Sequence, residues 1–139
     1  MTARAWAQQA TARLTAAGID DAAFDVRCLL EGFGGLARGH LPGDEPLTES
    51  QSTALEAALD ERLTGCPLQY ILGEWDFLSL TLRVGEGVLI PRPDTETLCE
   101  AAASRLSGIA SPSVLDLCAG SGCVGLSCRG DVFRRNTLH

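Results

Sequence analysis

The sequence predicts an α/β chain in several parts: an N-terminal all-α helical bundle, a β-hairpin linker, and the opening of a doubly wound α/β domain. Three observations predict it. Helical periodicity with recognisable caps runs to about Gly65. In-and-out alternation replaces it between Thr81 and Val84. A short apolar run, Val114-Leu115-Asp116-Leu117, then leads into a glycine turn and a helical start.

The elements follow in order. Ala3 to Ala17 is rich in good helix formers, and Gly18 stands where a left-handed C-cap belongs. Asp20 or Asp21 can cap a second helix running to about Leu30, with Phe24, Cys28 and Leu29 expected on one face. Gly32 to Pro46 is broken by glycine and proline and reads as loop. Thr48 and Gln51 fit a capping box, in which side chain and backbone satisfy each other's orphan donors. The helix behind it carries Leu55, Ala58, Leu59 and Arg62 at helical spacing and stops at Gly65. Pro67 to Leu72 reads as one helical turn ending at Gly73, and Glu74 to Val84 as a hairpin turning near Ser79. Pro91 and Pro93 stiffen the loop before a helix from Asp94 to Leu106. Asp94 or Thr95 can cap that helix, and the acids Asp94 and Glu96 suit the positive end of its dipole. Cys123 to Ser127 can start a helix, and from Cys128 the apolar periodicity vanishes.

Composition narrows the function. Hydrophobic residues make up 45% of the 139, enough for a core. The formal net charge of -7 argues against generic nucleic-acid binding, which needs a basic surface. No window is apolar enough to span a bilayer, and Met1 to Ala10 lacks the apolar core of a signal peptide. The expectation is a cytoplasmic protein with no direct nucleic-acid or membrane partner. Its six cysteines, Cys28, Cys66, Cys99, Cys118, Cys123 and Cys128, are then expected as reduced thiols.

Three motifs carry chemistry. Gly120 and Gly122 follow the predicted strand, where a cofactor lying against backbone needs residues without bulky side chains. The plain alternative is a tight turn without a ligand, and the motif alone does not choose. Ile90-Pro91-Arg92-Pro93-Asp94-Thr95-Glu96 holds Arg92 between two prolines; on physics alone it is a rigid connector. Pro67 to Phe77 supplies apolar residues that cement the hairpin, with Tyr70 and Trp75 as core or interface residues.

In this order and spacing, the motifs Pro67 to Phe77, Val88 to Glu96 and Val114 to Gly122 resemble the release factor glutamine methyltransferases, the HemK-type family. The resemblance covers residues 1 to about 127 and is strongest from Pro67 to Gly122. It implies a helical, release-factor-docking domain at 1–73, a hairpin linker at 74–90, and part of a Rossmann-like S-adenosylmethionine-dependent methyltransferase domain at 91–127. The implied reaction moves a methyl group from S-adenosyl-L-methionine to the side-chain amide of the glutamine in the Gly-Gly-Gln motif of class I peptide chain release factors. By position, Cys118, Ala119, Gly120, Ser121 and Gly122 would line the cofactor. Asp116 would organise the loop rather than act as a base, and Arg92, Pro93 and Thr95 would sit near the pocket wall. Many relatives have glycine where Cys118 stands.

The resemblance also marks what this sequence lacks. The family orients the substrate amide with an Asn-Pro-Pro-Tyr motif, because an amide nitrogen is a poor nucleophile and must be positioned for in-line attack. No Pro-Pro pair occurs here, and Asn136 is followed by Thr137. No catalytic residue is therefore assigned, and the chain is expected to be incomplete and inactive by itself. Cys128 to His139 reads as an unrelated tail, from a frameshift or a truncated gene. A lone strand at Val114 to Leu117 would leave backbone groups unpaired, so poor order is expected after about Pro91. Two rivals remain. One is a non-catalytic release-factor-binding module. The other is a cysteine-ligated metal protein using Cys118, Cys123, Cys128 and His139, which lacks the usual paired Cys-x-x-Cys spacing; no metal ligand is assigned.

Overall fold

The structure is a computed structural model; it describes residues 1–136, with side-chain surroundings through Arg129. The chain divides into two compact units, Met1–Leu72 and Gly73 onward.

The first unit holds α1 (Ala3–Ala16), α2 (Ala22–Phe33), α3 (Glu49–Leu63) and the short α4 (Leu68–Leu72). Gly18 and the Thr48–Gln51 pair stand where the sequence puts them, and Thr2 adds a cap that the sequence reading did not name. Thr2 accepts a hydrogen bond from the Ala5 amide, and Gly18 takes the left-handed φ of 78° just past α1. The capping box is complete: Thr48 Oγ1 accepts from the Gln51 amide at 3.2 Å, and Gln51 Oε1 accepts from the Thr48 amide at 2.9 Å. Gln51 also donates through Nε2 to the Gly34 carbonyl at the end of α2, 2.9 Å away. A Cβ on Gly35 would come within 2.8 Å of that nitrogen, and Gly35 has φ 75°, so the link between α2 and α3 needs glycine there. The first amides of α1 lie beyond the reach of their own helix. The 43–47 segment takes them: the Ala3 and Arg4 amides donate to the Glu45 and Gly43 carbonyls at 3.0 and 2.9 Å.

The core of this unit is Trp6, Leu14, Leu29, Leu30, Leu55 and Leu59, each at most 1% exposed. Burying a leucine contributes about 1.5–3 kcal/mol. Trp6 is wholly buried because its indole N–H finds an acceptor, Glu56 Oε1, at 2.7 Å. Arg13 grips the same carboxylate at 2.8 Å and Asp60 at 2.6 Å, tying α1 to α3.

The buried face of α2 differs from the expected one. It is Ala22, Asp25, Val26, Leu29 and Leu30; Phe24 is exposed and Cys28 half-buried. The face turned because Asp25 is buried. Its carboxylate accepts from Arg62 Nε on α3 at 2.7 Å, and Arg62 also donates to the Cys66 carbonyl at 3.1 Å. Asp21 occupies the N-cap position of α2 without a side-chain hydrogen bond. The helix runs three residues past the expected end, so the loop starts at Gly34.

The second unit opens with the antiparallel hairpin β1 (Glu74–Phe77) and β2 (Leu80–Arg83). Phe77 pairs with Leu80, so Leu78 and Ser79 form a two-residue turn. Leu78 has φ 52°, a conformation in which a Cβ costs about 1–2 kcal/mol. Leu78→Gly is expected to raise stability by several tenths of a kcal/mol to about 1, after glycine's greater unfolded freedom is subtracted. A higher denaturant midpoint checks it; a lower one would mean that the half-exposed leucine packs better than the turn suffers.

The hairpin's inward residues Phe77 and Leu82 share a buried cluster with Cys99 of α5 (Pro93–Leu106) and Cys123 of α6 (Cys123–Asn136). The N-cap of α5 is Arg92, with Pro93 at N1, rather than Asp94 or Thr95. Proline suits N1 because its missing N–H would have no partner there. Asp94 and Glu96 do lie in the first turn.

The predicted strand at Val114 to Leu117 is not formed. Residues 112–116 have no regular secondary structure and join no sheet among the described residues, and Val114, Leu115 and Leu117 are exposed. A strand is a product of its neighbours' hydrogen bonds, and apolar sequence alone cannot supply them. The last helix also passes beyond Cys128, where the apolar pattern ends, and continues to Asn136.

Candidate functional site

The site is built where the irregular stretch after α5 turns into α6. Three residues of this turn have positive φ: Cys118 at 58°, Gly120 at 58° and Gly122 at 76°. The Gly122 amide closes the turn on the Ala119 carbonyl at 2.8 Å. Asp116 reaches across it, and its Oδ2 accepts from the Gly125 amide in the first turn of α6 at 3.0 Å. A Cβ on Gly125 would lie 3.2 Å from that oxygen, so a bare position allows the close approach. The carboxylate thus satisfies an orphan donor and sets negative charge at the positive end of α6.

The turn is open to solvent. Cys118, Ala119 and Gly120 are exposed; Ser121 and Gly122 are half-buried. A Cβ built on Gly120 meets nothing closer than 4.0 Å, so the requirement for glycine there is one of dihedral angle. A flat or charged ligand could lie along this backbone without displacing a side chain.

Asp116, Gly122 and Gly125 are brought together around the α6 N-terminus. Arg92 and Pro93 are exposed at the start of α5, and Thr95, half-buried, donates its amide to the Arg92 carbonyl at 3.0 Å. Among the described residues, no hydrogen bond or ion pair links Arg92, Pro93 or Thr95 to the 118–122 turn.

Beneath the turn, Cys99, Cys123 and Cys128 are buried, and none is in a disulfide. Burial pushes the Cys99 thiol above its ordinary range; the Ser127 hydroxyl pulls the other way, and neighbouring Cys123, Cys128 and Asp116 add to the rise. A thiol held protonated by the fold contributes stability below the ordinary thiol range, and that contribution is lost as pH rises through the raised value. Limited alkylation followed by mass spectrometry is expected to label exposed Cys118 first and Cys99 among the last. Equal rates at the two would contradict the burial. Among the described residues, no group of three or more His, Cys, Asp or Glu side chains could hold a metal ion. His139, needed by the metal reading, lies outside the described residues.

Known proteins match both units. The PrmC N-terminal domain family matches residues 5–73. The release factor glutamine methyltransferase of Bifidobacterium longum is 43% identical over 131 residues, covering 89% of this chain and 45% of that protein. The chain belongs to the HemK-type release factor glutamine methyltransferase family. The same-named protein of Moorella thermoacetica is 36% identical over 129 residues, covering 91% of this chain and 46% of its own length. The human MTRF1L release factor glutamine methyltransferase is 42% identical over 90 residues, 60% of this chain and 27% of its length. The chain spans about half the length of the bacterial relatives named here. Among the described residues, no helix is long and apolar enough to cross a membrane.

Sequence reasoning missed Asp25. A carboxylate in a helix's first turn looks like an ordinary dipole partner, and its burial depends on Arg62, 37 positions away. The Asp116 to Gly125 bond was legible only as a loop-organising role, without its partner.

Proposed function

We propose that this chain is the N-terminal part of an S-adenosylmethionine-dependent enzyme that N5-methylates the Gly-Gly-Gln glutamine of class I peptide chain release factors. The observation that carries the reading is the Asp116-capped turn, with positive φ at Cys118, Gly120 and Gly122, in a chain of this family. The residues present fit the cofactor: open backbone, small side chains and a helix N-terminus close by. When bound, the cofactor supplies an activated methyl group on a sulfonium, so the protein's task is to hold and orient. Residues 118–122 would lie against the cofactor, with Asp116 fixing their shape. Arg92, Pro93 and Thr95 would border the pocket.

The amide-orienting Asn-Pro-Pro-Tyr motif does not occur in these 139 residues. Residues 1–139 alone are therefore expected to transfer no methyl group. A chimera continuing this chain, from the α6 start, with the remainder of the Bifidobacterium longum relative tests the reading. Labelled methyl should enter a class I release factor with the chimera and stay at background with residues 1–139. Turnover by the short chain would overturn the expected inactivity. A folded chimera that binds neither cofactor nor release factor would overturn the functional reading.

A further inference from the structure

In the N-terminal unit, α1, α2 and residues Leu41 and Pro42 line an open cleft of about 760 Å³. Val26 and Leu30 form its buried base, at 3% and 0% exposure. Phe24 and Leu41 project beside them, 41% and 84% exposed. Phe24 stands at the surface of the cleft, on a different face from Leu29, with which the sequence grouped it. Leu41 has no core role, since its side chain is almost wholly in water.

The charge of the cleft opposes that of the protein. Its lining holds two guanidinium groups, Arg4 and Arg27, and no carboxylate, in a chain of formal net charge -7. The Arg27 guanidinium carbon sits 5.4 Å from the Phe24 ring centroid, a cation–π contact that fixes apolar and positive surface side by side. Arg4 holds the neighbouring Asp44 carboxylate at 3.3 Å, with both side chains largely exposed. Such a pair is weak and readily exchanged for an incoming carboxylate.

We infer that this cleft is a docking groove for an amphipathic helical segment of a partner protein, one that presents large aliphatic side chains flanked by carboxylates. Apolar anchors at helical spacing would enter between Phe24 and Leu41, above Val26 and Leu30. Carboxylates on the flanks would meet Arg4 and Arg27, which gives orientation and selects against basic partners. The inference does not depend on methyl transfer.

The test uses two peptides of about 15 residues with the same leucine spacing, one carrying glutamates at its remaining positions and the other lysines. Each is titrated into the isotope-labelled chain and followed by nuclear magnetic resonance. The glutamate peptide should shift the amides of Phe24, Arg27 and Leu30 and bind at least about tenfold more tightly than its lysine twin. Arg27→Glu should reverse that preference. Phe24→Ser, with its fold checked by circular dichroism, should weaken binding about tenfold. Equal affinity for the two peptides, or shifts confined to other surfaces, would overturn the inference. So would a self-associated species that Phe24→Ser disperses, because the occupant would then be a second copy of the chain.

Discussion

Arg62→Leu is expected to destabilise the N-terminal unit by about 3 kcal/mol or more. The Asp25 carboxylate is 5% exposed and receives Arg62 Nε at 2.7 Å. Removing the guanidinium leaves that charge buried without its partner, and it also takes one donor from the Cys66 carbonyl. For a domain of this size the loss should lower the thermal midpoint by more than about 10 °C. The pair itself need not be a net source of stability, since desolvating two charges offsets much of their attraction. The double variant Asp25→Leu with Arg62→Leu should therefore recover much of the loss. Circular dichroism melts of the single and double variants decide the matter. A double variant as unstable as the single would mean that Arg62 acts through Cys66 and packing, with little part for the buried carboxylate.

Gly120→Val should weaken S-adenosylmethionine binding at least about tenfold in the chimera, while Cys118→Gly should keep or improve it. Both positions have φ 58°. A β-branched residue is strained there by at least about 1–2 kcal/mol, and it also lifts any ligand off the backbone. Glycine at 118 removes the strain that the thiol now carries. Calorimetric titration separates the two variants: weaker binding for Gly120→Val, unchanged or tighter binding for Cys118→Gly. Weakening by Cys118→Gly would show that the sulfur itself touches the ligand.

Local signals were the legible ones. The Thr48–Gln51 capping box, the Gly18 cap and the hairpin turn after Phe77 each depend on a few adjacent residues, and each stands where the sequence puts it. The misread features depend on distant partners. Phe24 is grouped by sequence with Cys28 and Leu29 on one face because its apolarity is visible there and the Arg62 partner of Asp25 is not. Val114 to Leu117 has the composition of a strand, yet a strand needs neighbours on either side. The α6 continuation past Cys128 has the opposite cause: helical hydrogen bonds are local, so a helix can outlast its apolar face. The Gly120-Ser121-Gly122 turn is legible as a shape, while the Asp116 carboxylate that braces it through the Gly125 amide depends on a partner nine residues away.

The most direct measurement is a nuclear magnetic resonance titration of the chimera with S-adenosylmethionine, read at the amides of residues 116–125. The account predicts saturable shifts centred on Gly120 to Gly122, with Asp116→Ala weakening them because the Gly125 amide loses its acceptor. Unmoved resonances there at saturating cofactor, in a folded chimera, would contradict it.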